Sequence, residues 1–154
     1  MEFLPELRCG YERGIMTYND VKRKLKDYQK CRAHYEALTR ELETCKHNLV
    51  ALGIDYSKPN VMSSGSGDAA FTRWVESYME LMEEIGAELK ELVLIRREAV
   101  GLINLSDDQL YRQILWLRYI SGLSWRKIAW RLHYSEDHVK HLHYKAIHSI
   151  VNTF

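Results

Sequence analysis

The stretch LSWRKIAWRLHYSEDHVKHLHYKAI, residues 123–147, decides how the last third of the chain is expected to fold. Ser124 and Ser135 each precede a run with helical periodicity, and a serine at that place can cap the free backbone N–H groups of a helix. The sequence therefore predicts one helix over 125–132 and a second over 136–150.

The spacing inside these two helices is typical of a helix-turn-helix, in which two helices cross steeply over a tight turn. The crossing needs a small residue where the backbones approach, and Ala129 stands at that position. Many such motifs have glycine at the turn, where φ is positive. His133 takes that position here, and histidine tolerates positive φ better than most residues. The predicted apolar core of the motif is Ile128, Leu132, Tyr134, Val139 and Leu142, and Trp116, Trp125 and Trp130 are also expected in the core.

A helix start is predicted just upstream, in the segment LSDDQ at 105–109. Ser106 and Gln109 stand three residues apart, as in a capping box, and the two aspartates between them would lie in the first turn, where the helix dipole favours negative charge. This helix is expected to span 107–120 and to end at Gly122. Its apolar spine would be Leu110, Ile114, Leu117 and Ile120.

The first two thirds of the chain contain two long stretches with heptad-like spacing of apolar residues, 17–52 and 71–103. The linker 53–70 separates them, because Pro59 and the run SSGSG interrupt helical structure. Residues 17–52 carry eight basic and five acidic side chains, whereas 71–103 carry four basic and seven acidic ones. Opposite net charges favour pairing of the two helices. The pattern does not distinguish pairing within one chain from a homodimer through the long helices.

The predicted fold is therefore all-α, with a long helical hairpin or coiled coil over 17–104, followed by a helix-turn-helix domain over 105–154. Residues 1–16 are interpreted as a disordered or upstream tail. The codons for Glu-Arg-Gly ahead of Met16 can form a purine-rich ribosome-binding sequence, so Met16 is a candidate start.

Composition and motifs exclude several function classes. No apolar run approaches the length of about 18 residues that a transmembrane helix needs, and no signal-peptide pattern is present. The three cysteines lack metal-type pairing, which fits reduced thiols in a cytoplasm. We expect no enzyme, since no nucleophile–base arrangement or phosphate-binding glycine loop is found. His138, His141 and His143 do not share one helix face, so no metal or cofactor is expected, and they are interpreted as surface side chains or DNA contacts.

Residues 122–150, GLSWRKIAWRLHYSEDHVKHLHYKAIHSI, resemble region 4 of sigma-70-type factors, with its pattern G-x-S-x-x-x-I-A-x-x-L-x-x-S-x-x-x-V. The preceding LSDDQLYRQILWLRYI is similar to the helix that braces that region. Residues 59–150 as a whole resemble phage and prophage late-gene transcriptional regulators of the ArpU/RinA type. Those regulators are small and helical, and they lack the promoter-melting regions of a full sigma factor.

The resemblance implies a sequence-specific regulator of transcription that binds double-stranded DNA, with the helix 136–150 in the major groove, in the cytoplasm of a bacterial or phage-infected host. Glu136, Asp137 and His141 fall at its base-reading positions, where a carboxylate can accept a hydrogen bond from the amino group of cytosine. The positions that are expected to contact the DNA backbone are His138, Lys140, Tyr144, Lys145, Arg126 and Lys127.

Two other functions fit the same pattern. A phage terminase small subunit also joins a helix-turn-helix to oligomerising helices, but it marks DNA for packaging. A sigma-like interaction module would contact RNA polymerase without reading DNA. The oligomeric state separates the first from a regulator, because a large ring favours the terminase and a monomer or dimer favours the regulator.

Overall fold

The computed structural model describes residues 16–51 and 67–154, which are helical and contain no strand. The all-helical prediction is confirmed for this part of the chain. The predicted N-terminal tail, apart from Met16, and most of the predicted linker lie outside the described residues. The helices are α1 (Tyr18–Ala51), α2 (Gly67–Asn104), α3 (Gln109–Leu115), α4 (Trp125–Leu132) and α5 (Glu136–Val151), and a π-helical segment (Trp116–Ile120) continues α3.

The start of α2 differs from the sequence prediction. This helix begins at Gly67, so the linker prediction is wrong for residues 67–70. Ala69 and Ala70 have the highest helix propensity of any residue type, which allows the helix to extend ahead of its first large apolar residue, Phe71. Apolar spacing alone could not reveal this extra turn.

The described residues form two compact units. One unit combines residues 16–25 with 100–154, and the other is formed by the described residues of 26–99. This division differs from the predicted boundary between residues 104 and 105, because the first turns of α1 belong with the C-terminal helices. Val21 and Leu25 are fully buried there.

The unit 26–99 consists of α1 and α2 residues that contact each other in antiparallel order. Near one end the indole N–H of Trp74 donates to the carbonyl of Cys45 over 3.2 Å, and near the other the thiol of Cys31 donates to Glu88 over 3.3 Å. Burial raises the pKa of the Cys31 thiol to about 11, and the hydrogen bond to Glu88 acts in the same direction. The apolar cluster between these ends is formed by Leu38, Leu42 and Ile85, with Tyr35, Tyr78 and Leu81 against it.

The core of the other unit lies where α3 and α4 pack on α5. Four residues predicted for the crossing of α4 and α5 are buried in one cluster, and a fifth, Leu132, is partly buried against it. The prediction for Tyr134 is wrong, since this side chain is 43% exposed and its ring lies 5.0 Å from the ring of His138. The buried residues of this cluster are Ile114, Leu117, Ile128, Ala129, Val139 and Leu142.

The turn between α4 and α5 has the predicted left-handed residue. His133 has φ 59° and ψ 38°, and it is the only non-glycine residue with positive φ in the described ranges. The amide of Tyr134 donates to the carbonyl of Ala129, and the amide of His133 donates to that of Trp130. These two bonds form a Schellman motif, which satisfies carbonyl groups at the end of α4.

The predicted N-terminal caps of α4 and α5 are also confirmed, although the predicted cap of α3 is not. Ser124 accepts a hydrogen bond from the amide of Lys127, and Ser135 accepts one from the amide of His138. The capping box at Ser106 is wrong. Asp108 caps α3 instead, accepting from two amides, and the Ser106 hydroxyl is buried 3.0 Å from that of Ser149.

Candidate nucleic-acid interface

Helices α4 and α5 both carry polar side chains that are exposed to solvent. All nine side chains that were predicted to contact DNA are exposed on these two helices. The three predicted base readers are Glu136, Asp137 and His141, and the six predicted backbone contacts are Arg126, Lys127, His138, Lys140, Tyr144 and Lys145.

Local structure explains this placement on α5. Val139, Leu142 and Ala146 are buried at spacings of three and four residues, and the positions between them, except the buried His143, face outward. Ser135 fixes the start of the helix, which leaves Glu136 and Asp137 in the first turn. Carboxylates are favoured there by the helix dipole.

The start of α5 carries charges of both signs, and they contact each other. Lys140 Nζ lies 2.8 Å from Glu136 Oε1 and 3.8 Å from Asp137 Oδ1. The hydrogen bond to Glu136 raises the pKa of Lys140, so this lysine stays charged. A predicted phosphate contact is therefore paired with two predicted base readers.

Positive charge on α4 is arranged differently. Arg126, Lys127 and Arg131 are exposed, and none of them takes part in an ion pair within the described part of the chain. Arg131 was missed by sequence reasoning. Its place four residues after Lys127 puts both on one helix face, and this spacing could have identified it.

Trp130 is the large apolar side chain of this surface. It is 82% exposed, so its predicted place in the core is wrong. Ile128 and Ala129 face the core. Trp130, the next residue, is rotated by about 100° around the helix axis from Ala129 and so faces away from the core. Trp116 is likewise 38% exposed, and it follows the exposed Gln113 by three positions, which places the two on the same side of the helix. Trp125 does pack against the core.

His143 lies on the buried face of α5, so its interpretation as a surface side chain or DNA contact is wrong. Its Nε2 lies 3.0 Å from the hydroxyl of Tyr119, and the ring of Trp125 meets it edge-on at 4.9 Å. Burial lowers the pKa of His143 to about 4, and the positive charges of Lys22 and Arg118 act in the same direction. The imidazole is therefore neutral at physiological pH.

A sequence signal for this burial exists. His143 stands four residues after Val139 and three before Ala146, which is the spacing of the buried face of α5. Its partner Tyr119 is buried as well, and burial raises the pKa of that phenol to about 12.

Tyr144 has one side in solvent and the other against aromatic neighbours. It is 52% exposed, yet its ring centre lies 4.3 Å from that of His148 and 5.4 Å from that of Tyr18 at the start of α1. Tyr18 also lies 5.1 Å from His148. The first turn of α1 therefore supports the middle of α5, a contact between distant sequence positions that periodicity does not reveal.

Comparison of the chain with protein-family models, curated proteins and solved structures finds no match. Within residues 16–51 and 67–154, no helix combines the length and apolar character needed to cross a membrane. Nor do three His, Cys, Asp or Glu side chains of these ranges come together as a metal-binding group. The geometry of α4 and α5 is therefore the main basis for a function.

Proposed function

We propose that the chain is a sequence-specific DNA-binding regulator of transcription, of the phage and prophage late-gene type, acting in the cytoplasm of its host. In this proposal a helical hairpin carries a sigma region 4-like helix-turn-helix, and α5 enters the major groove. One observation carries it. The nine side chains expected to contact DNA are all exposed on α4 and α5, whereas the apolar positions of the motif, except Tyr134, pack in one cluster.

The dimensions of α5 suit this role. Its 16 residues give a rod of roughly 24 Å, and a helix with side chains is about 10–12 Å wide, close to the width of a B-DNA major groove. The first turn, with Glu136 and Asp137, would lead into the groove. Base edges are read by N-terminal residues of such a helix.

The charges support a division of labour. Arg126, Lys127 and Arg131 are free of ion pairs in the described residues, so they can approach phosphates without first losing an internal partner. Carboxylates repel phosphate but accept hydrogen bonds from the amino group of cytosine. Phosphate contacts would hold the protein in position, and Glu136 and Asp137 would select the sequence.

Selection of bound duplexes from a random pool tests the proposal directly. We expect one recurring site that contains cytosine, with affinity that falls as salt rises. The variant Glu136→Gln should change the recovered site. Glu84→Gln, which changes an exposed glutamate on α2, is the matched control and should recover the wild-type site. A pool without enrichment, from a folded protein, would count against sequence-specific binding.

The exposure of Trp130 favours a second candidate, a sigma-like module that contacts RNA polymerase. Tryptophan and arginine are both enriched at protein interfaces, and Trp130 is followed directly by the exposed Arg131. Under this alternative the chain should bind RNA polymerase but select no duplex from the random pool, and Trp130→Ala should abolish binding to the polymerase. Under the first proposal the purified chain should bind its selected duplex in the absence of the polymerase. Measuring that affinity without polymerase therefore separates the two candidates.

A further inference from the structure

Helix α2 has a second row of apolar residues beside the row that packs on α1. Its four large members are well exposed, at 54% for Met79, 43% for Met82, 44% for Leu89 and 54% for Val93. The complete row, called here the second stripe, is Val75, Met79, Met82, Gly86, Leu89 and Val93.

The second stripe has the spacing of a helix–helix interface. Its residues are separated alternately by four and three positions, as in a heptad seam. Each follows by one position a residue of the row that contains Trp74, Tyr78, Leu81 and Ile85. The two rows are therefore about 100° apart on the helix. A helix with two such rows is typical of a bundle in which it has two neighbours, and α1 provides one of them.

The charges along one edge of the second stripe identify the other neighbour. Glu76, Glu83, Lys90 and Arg97 follow each other at intervals of seven residues, so they line the same edge. The first two are acidic and the last two are basic. No ion pair in residues 16–51 and 67–154 involves any of the four.

This order of charges is complementary to its own reverse. If a second copy of α2 lies antiparallel on the stripe, Glu76 faces Arg97 of that copy and Glu83 faces Lys90. A parallel copy would instead bring each charge to the height of its like-charged counterpart. We propose that the second stripe is a homodimer interface in which two α2 helices pack antiparallel, with the two-fold axis close to Gly86.

Gly86 fits this arrangement. It lies in the middle of a long helix, where glycine is less favourable than alanine. A Cβ atom added at Gly86 would meet nothing within 4 Å, so packing within the chain does not require glycine there. At the centre of the stripe, the missing side chain lets the backbone of a partner helix approach closely.

The inference goes beyond the proposed function, because it does not depend on DNA. The length of the second stripe also suits a stable helix–helix contact. From Val75 to Val93 the stripe extends over roughly 27 Å of helix, five turns, with an apolar residue or Gly86 at every seam position.

Charge reversal on the full chain tests the antiparallel contact. The mass in solution, measured by sedimentation over a range of concentrations, should be that of a dimer for the wild type. The double variants Glu76→Lys/Glu83→Lys and Lys90→Glu/Arg97→Glu should each weaken self-association on the order of tenfold or more, because like charges then face each other. An equimolar mixture of the two should restore the dimer, as a heterodimer.

The matched control is Glu84→Lys/Glu91→Lys, which reverses two exposed glutamates away from the stripe and should leave the dimer intact. Gly86→Leu should weaken the dimer while helical content is maintained. Helical content is measured for every variant by circular dichroism. The inference is overturned if the wild type is monomeric throughout. It is also overturned if the folded reversal variants dimerise as the wild type does, or if their mixture fails to form a heterodimer.

Discussion

Lys140 Nζ lies 2.8 Å from Glu136 Oε1, so an expected phosphate contact and an expected base reader form one ion pair in the protein without DNA. Both side chains are exposed, and an ion pair in solvent is readily exchanged for other partners. A DNA phosphate would therefore compete with Glu136 for the lysine. Replacing either residue should also change what the other one does.

Glu136→Ala should strengthen binding to a random duplex, because it releases Lys140 and removes repulsion from phosphate. The same change should weaken binding to the selected site by roughly tenfold, if Glu136 reads a base. Lys140→Ala should weaken binding to both duplexes and reduce the salt slope by about one unit. Affinities of the two variants for both duplexes, at several salt concentrations, separate the roles. If both variants lose affinity equally on both duplexes, α5 binds DNA through its charge alone and does not read the sequence.

Ala129→Leu should destabilise the protein, because Ala129 is 6% exposed inside the cluster formed by α3, α4 and α5. Extra methyl groups in a packed core cost about 1–3 kcal/mol. Chemical denaturation measures this free energy of unfolding. The matched control is Ala37→Leu on the exposed side of α1, which should cost little. Equal stability of the two variants would show that the crossing does not need a small residue.

The buried His143 should make stability depend on pH. Its pKa is about 4 in the folded protein and about 6.5 when exposed, so the unfolded chain binds a proton more readily between these values. Stability from this residue is complete above about pH 6.5 and is lost as pH falls toward 4, by roughly 3 kcal/mol in total. His143→Phe should flatten this part of the stability profile, and the control His141→Gln should not. An unchanged profile in His143→Phe would contradict a buried neutral imidazole.

His133→Gly should stabilise the protein by up to about 1 kcal/mol, because glycine adopts the left-handed backbone without steric cost. The matched control is His141→Gly. It replaces an exposed histidine inside α5 and should destabilise by about 0.5–1 kcal/mol, since glycine is unfavourable in a helix interior. Thermal unfolding measures both. The same sign for both variants would contradict the turn geometry at His133.

Sequence patterns predicted the parts of this fold that depend on local physics. The caps at Ser124 and Ser135 and the positive φ at His133 are short-range features, and the spacing of Val139 and Leu142 identified the buried side of α5. Predictions from local pattern were wrong where several residues could fill the same structural role. Asp108 and Ser106 can both cap a helix, and only the contact of Ser106 with Ser149 explains which one does.

Other features depend on contacts between distant parts of the chain. The π-helical segment after α3 is one of them, since no propensity scale predicts where such a segment begins. His143 has the spacing of a buried residue, yet histidine is common on DNA-binding surfaces, and its partner Tyr119 lies in another helix. The support of Tyr144 by Tyr18 joins positions more than a hundred residues apart, so neither residue type nor local spacing could indicate it.

The burial of Val21 and Leu25 has a consequence for the order in which this protein can fold on the ribosome. These two residues are synthesised before the helices that cover them, which lie in residues 100–154. Val21 and Leu25 therefore remain uncovered until residues 26–99 have been synthesised. A fragment cut at residue 105 to isolate the last three helices would leave part of their apolar surface uncovered. Such a fragment should be prone to aggregation unless residues 16–25 are supplied as a separate peptide.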